Sequence, residues 1–480
     1  MGKLSHLEPK SVFGYFEEIC GMPHGSGNVE QISNYLVAFA KKQELFYVQD
    51  SMKNVIICKE ASTGYEEKEP LILQAHMDMV AVKKLNAEIN LETDGLDLQV
   101  EGDLIYAKDT SLGGDNGVGV AYALAALASN TLQHPRLECV FTVDEEIGMD
   151  GATAIDLSML QGKQLLNIDS EEEGILLTSC AGGAHLYGRL EVPTKEMTGM
   201  QIKLVVTGCK GGHSGVEIHK GRANANHLLF RALLRLYKKC SYGLVEASGG
   251  SKDNAIPREA EAILVVNQDL IPLLQEEVTI LVEEYNQEYR VKEEGITLDV
   301  IELGIATSQA VVEDSMKQVY TAVLGQPDGV QTMSSVAENM VETSLNLGIL
   351  EYKGGILRLQ YAVRSSVESA KYGLLDRMTL LLEQLGGSSE IKSIYPAWEY
   401  LEESQLRNRM TRIYEKMYGE EMELQGVHAG LECGILSKKI PDLDCVSFGP
   451  NLYNIHTTEE TASISSIARV WDYIVAVIEA

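Results

Sequence analysis

Two hydrophobic rhythms divide this chain. In the first part, short apolar runs alternate with helical patterns. Helical spacing marks 29–42, and an Ala-rich helix follows Asp115 over 117–127. The runs 53–59, 71–76, 137–143 and 164–169 have strand length and end at polar residues. Strands alternating with helices predict an α/β domain, a mixed and mainly parallel sheet between helices. In such sheets chemistry gathers at the carboxyl ends of the strands. Here those ends carry His76, the acids Asp144, Glu145 and Glu146, and Asp169.

After Gly182-Gly183 the rhythm changes. Strands are predicted at 186–192, 201–207, 258–267, 297–303, 342–350, 355–365 and 389–394. Helices are predicted at 222–241, 269–289, 311–324 and 369–386. This reads as a large α+β insertion, two tandem units of similar plan. A helix at 404–418, a Gly-rich turn, His456 and a closing helix at 462–478 follow. The expected organisation is a catalytic domain of residues 1–185 plus 398–480, interrupted by a lid domain at 186–397.

Charge narrows the partners. Lys and Arg number 40 and Asp and Glu 70, a formal net charge of −30. Such a chain is repelled by phosphate backbones, so neither nucleic acid nor anionic membrane is the expected partner. No signal-peptide core and no run of about 18 apolar residues is seen. The eight cysteines lack C-x-x-C pairing and read as buried thiols of a reducing cytoplasm.

The chemistry-bearing motifs come next. In LILQAHMDMV, His76 and Asp78 leave a strand two residues apart and so share a side. A histidine ligand steadied by a carboxylate has this form, and so does a plain surface pair. In DTSLGGDNGVGVA, glycines surround Asp115 just before a helix. The loop lacks the G-K-[ST] of a phosphate loop, and its central acid suits a cation. FTVDEEIGMDG packs three acids at a strand end, costly unless a cation neutralises them. One of them can bind metal while its neighbour acts as general base. NIDSEEEG adds Asp169, with Glu171–Glu173 as a solvated continuation. FGPNLYNIHTTEE adds His456 at a loop–helix junction. Each motif alone also fits a bland turn. Together, five oxygen and nitrogen donors with a bridging carboxylate are what two Zn²⁺-type ions require.

In their order, H-M-D, GGDNG, DEE-G, N-I-D-S and N-I-H-T-T-E resemble the M20 family of co-catalytic zinc peptidases. Within it, the chain is most similar to the aminoacyl-histidine (Xaa-His) dipeptidases, the carnosine-cleaving branch. GCKGGHSGVEIHKGRANA and HAGLECG carry the likeness into the insertion. The resemblance implies that Asp115 bridges two divalent metals, Zn or alternatively Mn or Co. His76 and Asp169 complete one site, Glu146 and His456 the other. It implies Glu145 as general base, Asp78 orienting His76, and a cis Asp115–Asn116 peptide. The resemblance further implies that His213 of GGHSG stabilises the oxyanion once the lid closes, with His219 the weaker candidate. Asn254 and Gly430 border the substrate, Arg364 meets its carboxylate, and Glu432 is open between a substrate and a structural role. The implied activity is cytoplasmic hydrolysis of unblocked dipeptides, Xaa-His among them, by a homodimer or a monomer. The alternatives are an aminoacylase, deacetylase or tripeptidase with the same metals, and a non-catalytic binding protein on the same fold. Loss of a ligand or of the base would mark the last, and none is lost.

Overall fold

In the computed structural model, which describes residues 2–335 and 340–480, the early apolar runs become one eight-stranded sheet. Its order is Phe46–Gln49, Val55–Lys59, Leu137–Thr142, Leu71–His76, Gln164–Asn167, Asp444–Ser447, Ile175–Cys180 and Glu423–Val427. The strands Leu137–Thr142, Leu71–His76, Gln164–Asn167 and Asp444–Ser447 run parallel. Val55–Lys59 and Ile175–Cys180, on either side of this group, pair with it antiparallel. Leu71–His76 and Leu137–Thr142 are buried at every residue, which is why they read as unbroken apolar runs. The helix Gly114–Ala128 is buried from Gly114 to Leu127, so small alanines and glycines replace an amphipathic pattern. The closing helix Ile464–Glu479 is capped by Ser463, whose side chain accepts from the N–H of Ser466. It buries Ile467, Val470, Tyr473, Ile474, Val477 and Ile478, one helical stripe.

The chain divides into two compact units. One comprises Met1–Ser179, Tyr400–Gly426 and Leu431–Ala480, the other Cys180–Glu399 and Val427–Gly430. The second unit is built on one antiparallel sheet of nine strands. Its main path runs Thr297–Val311, Thr194–Thr207, Ala260–Val266, Tyr242–Gly249, Val341–Lys353, Ile356–Ser365, Gly182–Glu191 and Ser388–Tyr395. The two α+β halves therefore share a continuous sheet rather than forming separate layers.

Three differences from the sequence reading have physical causes. The strands expected at 201–207 and 297–303 extend to Thr194–Thr207 and Thr297–Val311. They pair along that whole length, but one face is solvated, so the added residues lack an apolar pattern. Tyr242–Gly249, where no strand was expected, lies inside the sheet. It is short, ends in glycine and has a register shift between Leu244 and Glu246, which breaks its alternation. The helix expected from 222 begins at Ala225, because Asn224 caps it by accepting from the N–H of Asn226. All eight cysteines are buried.

Candidate metal centre and active site

Parallel strands bring their carboxyl ends to one edge. His76 ends its strand opposite Thr142, two residues before Asp144. On the other side, Gln74 pairs with Asn167, two residues before Asp169. Asp115 reaches the same edge from the start of its helix, where Asp115 and Asn116 depart from helical angles and their peptide is cis. The Asn116 side chain donates to Ile168 O at 2.7 Å and to Asp169 Oδ1. Gly119 makes this close fit feasible, since a Cβ there would stand 2.0 Å from Asn116 Oδ1 and 2.6 Å from Ile168 O. His456 arrives from a loop between the short strands Leu452–Tyr453 and Thr461–Ser463.

The result is a compact donor cluster. His76 Nε2 lies 3.0 Å from Asp115 Oδ1 and 3.2 Å from Asp169 Oδ1. His456 Nε2 lies 3.2 Å from Asp115 Oδ2 and 2.9 Å from Glu146 Oε1. Asp115 thus turns one oxygen to each imidazole. One ring N–H makes one good hydrogen bond, yet each Nε2 faces two carboxylates at similar range. Donors around a tetrahedral ion with bonds of about 2.0–2.1 Å stand roughly 3.3 Å apart. The residues present therefore fit divalent cations. Donor atoms of His76, Asp115 and Glu146 all lie within 4.8 Å of one another.

Electrostatics point the same way. Among the described residues, the ion pairs of Asp115, Glu146 and Asp169 are with imidazoles alone. Burial opposes charge on His76, but Asp169, Asp115 and Asp78 outweigh it and hold its pKa well above the usual value. Hydrogen bonds with Asp115 and Glu146 push His456 up to about 10. Burial raises Asp115, but the two imidazoles overcome it and hold the carboxyl well below its ordinary range. Protons on the imidazoles thus balance carboxylates that a metal ion would otherwise neutralise. Burial, with Asp169, Glu432 and Glu146 nearby, raises Glu145 well above the normal carboxylate value.

Asp78 meets His76 through both its backbone and its carboxylate. His76 Nδ1 meets the main-chain oxygen of Asp78 at 2.9 Å, while the carboxylate stands 3.5 Å off. The carboxylate accepts from Ser26 Oγ at 2.8 Å and from the N–H groups of Glu145 and Glu146 at 3.1 and 3.5 Å. The strand geometry leads the chain past the ring, so the nearer backbone oxygen fixes it. Asp78 also anchors the turn that carries both glutamates.

Of the acids after Asp169, Glu172 is exposed as expected, while Glu171 and Glu173 are not. Glu171 is half-buried, and burial with Asp115 and Asp169 nearby pushes its carboxyl up to about 8. Arg469 clamps Glu173 with bonds of 2.7 and 2.6 Å. Glu432 is fully buried and accepts from Thr142 Oγ1 at 2.6 Å and from the Gln74 side chain.

The second unit gathers the other candidates. His213 sits on the short strand Gly212–His213, opposite Ala255. Its Nδ1 accepts from the N–H groups of Gly215 and Val216 at 3.1 and 3.2 Å. A neutral ring so held carries its proton on Nε2, as a donor. Burial and the Arg364 charge lower its pKa, favouring that neutral form. Asn254 is exposed, and its main-chain oxygen accepts from the N–H of Ser214 at 2.9 Å. His219 is exposed. Arg364 is buried and makes no ion pair among the described residues. Its Nη1 donates to the Tyr395 hydroxyl at 2.8 Å, and its Nε meets no hydrogen-bond partner among the described residues. Gly430 belongs to the four-residue piece Val427–Gly430 of this unit, with His428, whose Nε2 lies 2.7 Å from Ser344 Oγ. Burial, then Arg364, pushes His428 down to about 3. Sequence reasoning passed over Tyr395, Ser344 and His428. Only His428 had a signal, its place in the HAGLECG run.

Fold and donor set together define an α/β protein whose strand ends fit divalent cations. Comparison with known proteins narrows the class. The model of Peptidase family M20/M25/M40 matches residues 72–480. The cytosol non-specific dipeptidase of Escherichia coli (strain K12) is 35% identical over 474 residues, 98% of this chain and 97% of that one. The crystal structure of aminoacylhistidine dipeptidase from Vibrio alginolyticus superposes with a TM-score of 0.92 at 34% identity. It covers 99% of this chain and 97% of its own. A tripeptidase from Staphylococcus aureus, at 15% identity and a TM-score of 0.55 over 98% of both chains, shares the fold alone. The chain belongs to peptidase family M20/M25/M40 and is a metallopeptidase.

Proposed function

We propose that this protein is a cytoplasmic dipeptidase that cleaves unblocked dipeptides, Xaa-His among them, with two divalent cations, zinc in first place. The observation that carries the two-cation reading is Asp115 facing a different imidazole with each oxygen. His76 and Asp169 would hold one ion, Glu146 and His456 the other. The names of the relatives, cytosol non-specific dipeptidase and aminoacylhistidine dipeptidase, support the substrate class and the compartment. No helix among the described residues is long and apolar enough to cross a membrane.

Bound cations supply Lewis acidity, which lowers the pKa of a water and polarises the scissile carbonyl. This chain's residues do the rest. Glu145 takes the proton of the attacking water and returns it to the leaving amine. His213 donates from Nε2 to the oxygen that gains charge, a role its neutral tautomer supports. Arg364, whose buried Nε lacks a partner among the described residues, receives the substrate carboxylate. Asn254 and Gly430 border the substrate. The test is a panel of Xaa-His and other dipeptides, N-acetyl amino acids and tripeptides, with Zn²⁺, Mn²⁺ and Co²⁺. Free dipeptides should be the best substrates. Faster turnover of N-acetyl amino acids or tripeptides would overturn the substrate assignment.

A further inference from the structure

Four residues beyond His456, Glu460 is almost fully buried, 3% exposed. Its Oε2 accepts from the N–H groups of Leu112 and Gly113 at 2.8 and 3.1 Å, and its Oε1 from Gly114 at 2.9 Å. These are the three residues immediately before Asp115. Gly113, with φ of 67°, helps turn successive N–H groups toward one point, an anion-holding arrangement. A Cβ on Gly114 would stand 3.4 Å from Glu460 Oε1 and 3.2 Å from Leu452, so the loop is closely packed on this carboxylate.

The His456 loop is held within itself by Thr457, whose hydroxyl donates to Asn454 O at 2.7 Å, and at its surface by the Lys84–Glu459 ion pair at 2.9 Å. It contains two residues in the left-handed region, Asn454 at φ 52° and His456 itself at 62°. The imidazole is 43% exposed, against 1% for His76. Asp115, by contrast, is followed by Asn116, whose side chain is tied to Ile168 and Asp169. Glu460 is the last residue of the His456 loop before the return strand Thr461–Ser463. It therefore bonds the backbone of that loop's end to the loop carrying Asp115, beside the His456–Asp115 contact itself.

We propose that Glu460 is a positioning residue that sets the separation of His456 from Asp115 and so the affinity of the ion those two share. This rests on the ligand assignment above. A carboxylate suits the task because it offers two acceptors to three converging donors. Glutamine has nearly the same shape but one acceptor, and its NH₂ would face an N–H.

The test is titration of metal-stripped protein with Zn²⁺ against a chromophoric chelator, with thermal melting of each stripped protein alongside. Glu460→Gln should bind one ion as the wild type does and the other roughly 10–100-fold more weakly, the usual cost of losing an outer partner of a ligand. His456→Ala should lose the same ion. Wild-type affinity for both ions in Glu460→Gln, even with a lower melting temperature, would make Glu460 a fold staple and overturn the proposal. Should Glu460→Gln not fold, Glu460→Asp carries the same reading. A weakened single ion with unchanged melting of the stripped protein supports it, and two tightly held ions overturn it. If His456→Ala still holds two ions, the ligand assignment itself has failed, and this inference with it.

Discussion

At the scale of single residues, the proposed mechanism separates holding a metal from moving a proton. Glu145 and Glu146 are adjacent, and Asp78 accepts from both of their N–H groups. Only Glu146 meets an imidazole, at 2.9 Å from His456. Glu145→Gln should therefore retain metal while kcat falls by about 10²–10⁴-fold, the usual worth of a general base. Metal content and turnover measured on one preparation decide it, and near-normal turnover with metal bound would remove Glu145 from the mechanism. For His213 the donor argument makes a different forecast. His213→Ala should keep its metal and its KM, and lose roughly 10²–10³ in kcat, since the lost bond forms only in the transition state. Early melting with normal turnover would instead make His213 structural.

At the scale of elements, the helix Glu432–Lys439 opens on a carboxyl with no solvent access. Burial, with Asp169 and Asp78 nearby, pushes Glu432 up to about 7, above the unfolded value of about 4.3. The folded protein therefore binds the extra proton between those values, and stability falls as pH rises through that window. Glu432→Gln keeps the shape and removes the titration. In metal-free protein it should flatten the pH dependence between about 4.3 and 7, and gain about 1–3 kcal/mol above pH 7. Urea unfolding across that range checks this, and an unchanged slope would contradict it. The same network shows why some of the site was legible and some was not. His76 and Asp169 end apolar strands, so their exposure to a common edge follows from local pattern and parallel pairing. Glu432 and Glu460 act on residues far along the chain. Leu112 and Glu460, for example, are 348 positions apart. No local periodicity records such a contact. Tyr395, holding Arg364, is hidden for the same reason.

At the scale of the whole molecule, the motif order that resembled M20 peptidases is matched by the family model, which spans residues 72–480. The broad plan was readable because fully buried parallel strands and Ala-rich helices leave strong patterns. The second unit's sheet was harder to read, since solvated faces dilute the alternation of Thr194–Thr207 and Thr297–Val311. The central claim is that this is a dipeptidase whose reaction needs two divalent ions in the cluster around Asp115. The most direct test is to add Zn²⁺ stepwise to metal-stripped protein while following hydrolysis of a free dipeptide. The account predicts no activity in the stripped protein and a rise that stops at two equivalents per chain. Full activity in excess chelator, or saturation at one equivalent, would contradict it.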